Sequence, residues 1–274
     1  MKVYCILGDE RSFRLKSPAM FSAILKRVGI KGTYVPFSVR PNDLGRAVQS
    51  LRVLNIAGAN VTVPFKETIM THLDSLSEGA TIIGAVNTIV IKGDTLKGYN
   101  TNAIGFMDAL EDEGFDVTGK TALVFGTGGA SRAVVFILNW LRANRIIIAG
   151  RNLEKSRQIA SRVEGEVRSL ESLLDQTVPV DIVVNATSVS NRDESPELAA
   201  LVNSLSIPGC QLVLDLNYGL HQNMWRDFAC QKGVPFTDGL KTLAYQAKRT
   251  FALWTGIQVE AEEFLKALQQ APDI

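Results

Sequence analysis

A lysine stands two residues beyond a proline that closes an apolar run, in Gly58-Ala59-Asn60-Val61-Thr62-Val63-Pro64-Phe65-Lys66. Alternation along a strand sets Asn60 and Thr62 on one face at its carboxyl end, where open α/β sheets bind ligands. Lys66 follows at once and can reach over the same crevice. Taken alone, Lys66 reads as a surface lysine opening a helix over Glu67–Leu73. A cation near a helix N-terminus is electrostatically misplaced, however, unless something else uses it.

The second chemical feature is the glycine turn Gly126-Thr127-Gly128-Gly129-Ala130-Ser131-Arg132, set between an apolar strand, Thr121–Phe125, and a helix, Ala130–Arg142. Binding a pyrophosphate needs one glycine at positive φ and another that lets the backbone approach without a Cβ in the way. The helix then points its free amides at the anion. Ser131 takes the place of the third glycine of GxGxxG and is small enough for close packing. A tight turn without a ligand is the alternative. The following strand, Arg145–Ala149, runs into Gly150-Arg151-Asn152, with Lys155 a turn later. A carboxylate there would grip the ribose of NAD, whereas Arg151 suits the 2′-phosphate of NADP. NADP is favoured, although Arg151 and Lys155 read equally as solvated surface charge.

Elements that would hold these residues follow from hydrophobic period. Strands are expected at Val3–Leu7, Gly32–Phe37, Ile56–Val63, Ala85–Ile91 and Leu96–Asn100, the last two joined as a hairpin by Lys92–Asp94. Helices are expected at Pro18–Val28 and at Asn42–Leu51, with Asn42 as N-cap. Further strands at Ile182–Asn185 and Leu212–Leu216 extend the Thr121–Phe125 sheet, and helical stretches run from Gly239 to the C-terminus. The order of strands and helices predicts an α/β protein: an N-terminal α/β domain with a mainly parallel sheet, and a Rossmann-type doubly wound domain. A domain change falls near Thr101–Met107.

Composition narrows the function classes. The 274 residues carry 29 Lys and Arg against 28 Asp and Glu, so a net charge of +1 provides no field for nucleic acid or an anionic membrane. No apolar run approaches ~20 residues, so no membrane span is expected. The opening run is too brief for a signal-peptide core, and a cytoplasmic location is expected. Cys5, Cys210 and Cys230 fit neither a disulfide framework nor a zinc spacing, and each reads as a core thiol. His72 and His221 lie in no ligand pattern, so no metal is expected.

Seven segments carry a family resemblance. Gly58 to Lys66, Gly-Ala-Val-Asn-Thr (84 to 88), Tyr-Asn-Thr-Asn-Ala-Ile-Gly-Phe (99 to 106), Gly-Thr-Gly-Gly-Ala-Ser-Arg (126 to 132), Asn-Ala-Thr-Ser (185 to 188), Asp215 to Tyr218 and Asp238 to Gln246 resemble the shikimate dehydrogenase family in order and spacing. The resemblance implies NADP-dependent, reversible oxidation of the shikimate C3 hydroxyl to 3-dehydroshikimate. It implies a substrate-binding domain over 1–102, completed by C-terminal helices at 240–274, and a Rossmann domain over 103–239. Lys66 maps onto the family's proton-handling lysine. Ser17, Thr62, Asn87, Tyr218 and Gln246 map onto its substrate contacts, joining Asn60. Thr187, Leu216 and Gly239 map onto cofactor positions, joining Gly126 to Arg132, Arg151, Asn152 and Lys155. The partners expected are a small cyclic hydroxy acid and NADP, with the chain a monomer or homodimer.

Three departures from the family stand out. Asn102 replaces its aspartate; an amide can bond a hydroxyl or Lys66 but cannot take a proton or supply charge. Lys66 should therefore have a lower pKa than in an Asp-containing relative, be held less firmly, and support less activity. Leu15-Lys16-Ser17-Pro18 keeps only the second serine of Ser-x-Ser-Pro, with an extra residue upstream at Glu10–Arg14; Arg14 or Lys16 could supply charge instead. Gly150-Arg151-Asn152 retains the arginine of Asn-Arg-Thr. These departures leave open a paralogue acting on quinate or a related hydroxy acid, or a weakly active NADP-binding protein.

Overall fold

The structure, a computed structural model, describes residues 1–175, 177–219 and 222–271. It divides into two compact units, Met1–Gly105 with Leu243–Ile274, and Phe106–Thr242. His221 lies outside the described residues.

The first unit is built on β1 (Lys2–Gly8), α1 (Ser17–Arg27), β2 (Gly32–Ser38), α2 (Leu44–Val53), β3 (Gly58–Val61), β4 (Ser75–Leu76), α3 (Glu78–Ile83), β5 (Thr88–Lys92) and β6 (Thr95–Tyr99). Its sheet runs β2-β1-β3-β5-β6-β4. β1 pairs in parallel with β2 and β3, while β5 and β6 form the expected antiparallel hairpin. Apolar faces of these strands bury Cys5, Leu7, Ala59, Val61 and Ile89 against Leu44, Val48 and Leu51 of α2. Burial at such positions contributes roughly 25 cal/mol per Å² of apolar surface.

Next comes α4 (Asn102–Asp112), which begins in the first unit, and then the alternating run of the second. This comprises β7 (Thr121–Phe125), α5 (Gly129–Trp140), β8 (Arg145–Ala149), α6 (Leu153–Ala160), β9 (Glu166–Arg168), α7 (Ser172–Asp175), β10 (Ile182–Asn185), α8 (Pro196–Ser204), β11 (Leu212–Asp215), α9 (Met224–Lys232) and β12 (Phe236–Thr237). All pairs are parallel and the order is β12-β11-β10-β7-β8-β9. Counted within the unit this is the doubly wound order 3-2-1-4-5-6, whose direction reverses between β7 and β10. The chain ends with α10 (Gly239–Thr255) and α11 (Ala261–Gln270).

Several expectations are corrected. Asn42 does not cap α2: it sits inside a 3-10 turn, Pro41–Asp43, and the helix starts at Leu44 with Asp43 as N-cap. Pro41 fixes φ for that turn and so delays the helix. The helix expected over Glu67–Leu73 is a 3-10 turn, Thr68–His72. The carbonyl of Lys66 is aimed across at the Val86 N–H, 2.7 Å away, rather than along a helix axis, and the Met70 N–H, which an α-helix would bring to it, bonds Glu67 instead. β3 stops at Val61, because the Thr62 carbonyl accepts from Phe65 N in the turn around Pro64. Of the thiols, Cys5 is buried, Cys210 is half-buried and Cys230 is exposed on the outer face of α9. Burial pushes Cys5 up to about 12.

Candidate active site

In the first unit a buried polar cluster forms where β5, the start of α4 and α10 meet. Asn87 accepts the backbone N–H of Thr101 on Oδ1 at 2.7 Å. That bond fixes which end of the amide is Nδ2, since a backbone N–H can only donate. Nδ2 then faces Thr101 Oγ1, Asn102 Oδ1 and Gln246 Oε1, each at 2.9 Å. Behind it, the hydroxyls of Thr88, Thr101 and Thr250 lie 2.9–3.2 Å apart. Thr250 is one helical turn from Gln246, so one face of α10 supplies both.

Asn60 belongs to this cluster as a support. Its Oδ1 accepts from Tyr34 Oη at 2.8 Å, and its Nδ2 donates to the Asn87 carbonyl and to Thr88 Oγ1. Both ends of the amide are thus spent inside the protein, and the residue is buried. Buried groups paired in this way rigidify their surroundings, and losing one partner leaves the other uncompensated.

Lys66 is fastened nearby by its backbone. Phe65 is buried beside it, and Val86, which donates to the Lys66 carbonyl, directly precedes Asn87. The N–H of Val61 bonds the Asn87 carbonyl at 2.9 Å, which ties β3 and Thr62 to the same point. Desolvation lowers the Lys66 amine from 10.5 to about 8. Neither an ion pair nor a side-chain hydrogen bond holds its Nζ among the described residues, and no bond joins it to Asn102.

Hydrogen bonds therefore bring Asn87, Asn102 and Gln246 together, with Lys66 and Thr62 one backbone link away. Ser17 is buried as the first residue of α1, whose N-cap Lys16 makes no side-chain cap bond. Among the described residues no hydrogen bond connects the Ser17 side chain to this group. Of the residues just placed, five keep side-chain hydrogen-bonding groups with no partner among the described residues: Ser17 Oγ, Thr62 Oγ1, Lys66 Nζ, Asn102 Nδ2 and Gln246 Nε2. A small polyhydroxylated ligand needs several separated donors and acceptors of this kind. Leu15 is the extended residue closing the 3-10 turn Glu10–Arg14 and offers no such group.

The second unit holds the glycine turn between β7 and α5. Gly126 has φ +116°, and a Cβ there would stand 2.8 Å from the Ala186 carbonyl. A Cβ on Gly128 would meet nothing within 4 Å, so that amide edge is open. The following helix, twelve residues long, starts at Gly129 with no side-chain cap, and Ala130, Ser131 and Arg132 lie in its first turn. Its free amides suit a pyrophosphate. Thr127 touches the next turn: a Cβ on Gly150 would lie 2.6 Å from its Cγ2. Beyond Gly150, Arg151 and Lys155 are exposed cations without an ion pair among the described residues, while Asn152 caps α6 by accepting from Lys155 N at 2.9 Å. An open glycine turn, an uncapped helix start and two unpaired cations after β8 fit a dinucleotide with a 2′-phosphate.

Thr187 and Leu216 lie on loops at the carboxyl ends of β10 and β11, and Gly239 opens α10 just after β12. The Thr187 hydroxyl is occupied, donating to Asn185 Oδ1 at 2.7 Å and accepting from Val189 N, and its backbone is held as well, the N–H by Asn185 Oδ1 and the carbonyl by Asn217 Nδ2. Tyr218 is half-buried in this unit, on the loop after β11. Sequence reading passed over Thr88, Thr101 and Thr250; only the i, i+4 spacing of Gln246 and Thr250 hinted at them. It also passed over Asp215 as a single residue, although an acid ending an apolar strand is a signal of buried polar pairing.

Comparison with known proteins gives the lineage. The family described as "Shikimate dehydrogenase substrate binding domain" matches residues 13–89, and "Shikimate / quinate 5-dehydrogenase" matches 109–199. The shikimate dehydrogenase (NADP(+)) of Caldanaerobacter subterraneus subsp. tengcongensis is 37% identical over 93% of this chain and 92% of its own length. That of Desulforamulus reducens is also 37% identical, over 95% of this chain and 91% of its own. Among solved structures, shikimate 5-dehydrogenase from Thermus thermophilus, in complex with NADP(H) and shikimate, is similar with a TM-score of 0.85 and 32% identity, covering 99% of this chain and 100% of that one. Matches of this depth along nearly the whole length mean that the chain belongs to the shikimate dehydrogenase family.

Proposed function

We propose that this protein catalyses the reversible NADP-dependent oxidation of the C3 hydroxyl of shikimate to 3-dehydroshikimate. The first unit binds shikimate through Ser17, Thr62, Asn87 and Gln246, and the second binds NADP through the glycine turn and Arg151. NADP, when bound, supplies the hydride acceptor. Lys66 takes the hydroxyl proton on Nζ during oxidation and returns it during reduction; a pKa of about 8 leaves both forms accessible near neutral pH. Asn102 holds a substrate hydroxyl or the neutral amine by hydrogen bonding alone, so the rate is lower than an aspartate there would support.

The observation that carries this reading is a desolvated, unpaired lysine amine tied by backbone bonds to a cluster of amides with unspent hydrogen-bonding groups. Free cysteines fit the reducing cytoplasm as the place of action. The test is NADPH formation by the purified chain with shikimate, alongside Asn102→Asp. Turnover by this chain is expected. If both proteins bind NADP and shikimate yet neither reduces NADP, the reading fails.

A further inference from the structure

At the carboxyl end of β11, Asp215 is fully buried and surrounded by neutral donors. Its Oδ1 accepts from Asn185 Nδ2 at 2.7 Å, from Asn217 N at 3.0 Å and from Asn217 Nδ2 at 3.1 Å. Its Oδ2 accepts from Asn223 Nδ2 at 2.7 Å, and the Ser190 hydroxyl donates to the carboxylate as well. The Ser190 oxygen meanwhile accepts from Asn185 and Asn217, which leaves its proton for Asp215.

Each asparagine reaches a different stretch of backbone with its other atoms. Asn185 Oδ1 accepts from Thr187 N, and the Asn185 carbonyl accepts from Leu216 N at 2.9 Å. Asn217 donates to the Thr187 carbonyl at 2.9 Å, and its own carbonyl accepts from Gly239 N at 2.9 Å. Asn223 Oδ1 caps α9 by accepting from Trp225 N and Arg226 N. Only a group that accepts on both oxygens can orient all three amides at once; an asparagine at 215 would turn an NH2 toward other donors.

We propose that Asp215 is a positioning residue for the cofactor, setting through Asn185 and Asn217 the backbone of Thr187, Leu216 and Gly239. This rests on the reading of those three positions as cofactor contacts. It predicts that disturbing Asp215 weakens NADP specifically, whereas a general structural role would lower the active fraction and leave both Michaelis constants alone.

The experiment compares Asp215→Asn and Asn223→Ser with the unmodified full chain. Serine at 223 keeps a cap acceptor but loses the donor to Asp215. NADPH binding is read by titration of its fluorescence, and KM is measured separately for NADP and shikimate. The expected result is a rise of ~10-fold or more in Kd and KM for the nucleotide with Asp215→Asn, and ~3-fold or more with Asn223→Ser, at an unchanged KM for shikimate. Should Asp215→Asn not fold, Asn223→Ser decides. Unaltered nucleotide affinity in a folded variant, or equal rises in both KM values, overturns the inference alone. Failure of the unmodified chain to bind NADPH overturns the proposed function and this inference with it.

Discussion

Asn87 donates from Nδ2 to Oδ1 of Asn102 at 2.9 Å, and the Thr101 N–H on the other end of Asn87 allows its amide no flip. The carboxamide of Asn102 therefore has one orientation, with Oδ1 spent and its NH2 unpaired. A neutral amine or a hydroxyl oxygen can accept from that NH2, whereas an ammonium group cannot.

Replacing Asn102 by aspartate supplies a negative charge beside the cluster and favours the ammonium form of Lys66. The pKa read from the pH dependence of kcat/KM for shikimate oxidation should move upward from about 8, the value that burial alone gives the amine. At high pH the rate should rise by ~100-fold, the low end of a general acid–base contribution. An unchanged pH profile would count against any coupling between positions 66 and 102.

Lys66 also sets a pH dependence of folding. Its folded pKa of about 8 lies below its ordinary 10.5, so between those values the unfolded chain binds more protons and stability rises with pH. Below about pH 8 the folded protein bears the whole cost of a desolvated ammonium, about 3 kcal/mol at ~1.4 kcal/mol for each tenfold loss of proton affinity. Lys66→Met should remove that rise, stabilise the protein near neutral pH and lower kcat by ~10²- to 10⁴-fold. Urea titrations across this range, with steady-state rates, check both parts.

Arg151→Ala should separate the two nucleotides. A charge-assisted hydrogen bond to a 2′-phosphate contributes about 1.5–3 kcal/mol, so Kd for NADP should rise ~10- to 100-fold while that for NAD stays put. Calorimetric titration with both nucleotides gives the answer.

Tyr34→Phe tests the support behind the site. It leaves Asn60 Oδ1 buried without its donor, at a cost of about 1–3 kcal/mol. The urea midpoint should fall with an unchanged slope, and KM for NADP should not move.

Much of the fold could be read from apolar runs. Thr121–Phe125, Arg145–Ala149 and Ile182–Asn185 are strands at the expected bounds, because buried parallel strands are continuously apolar and stop where glycines or polar residues begin. Local signals failed where a distant bond decided. The Lys66 carbonyl is aimed across at Val86 rather than along a helix axis, where the expected helix is a 3-10 turn, and no window around Lys66 contains Val86. The same holds for Asn60, whose alternation with Thr62 suggested a shared ligand face. Tyr34 and Thr88, distant in sequence, claim its amide. Lys66 itself was visible through its motif, but its loss of solvation was not.

The first unit takes its residues from both ends of the chain. Its aromatic core stacks Tyr4 on Trp254 at 5.0 Å, and Phe21 meets both Trp254 and Phe264. Gln246, likewise from the returning segment, holds one bond of Asn87. During translation, residues 106–242 emerge before Trp254 and Phe264 do, so the contiguous unit can fold while the discontinuous one still waits for its missing wall. A ribosome stalled before Leu243 would present a nucleotide-type sheet beside an unfinished hydrophobic cluster, and chaperone dependence should concentrate in that interval.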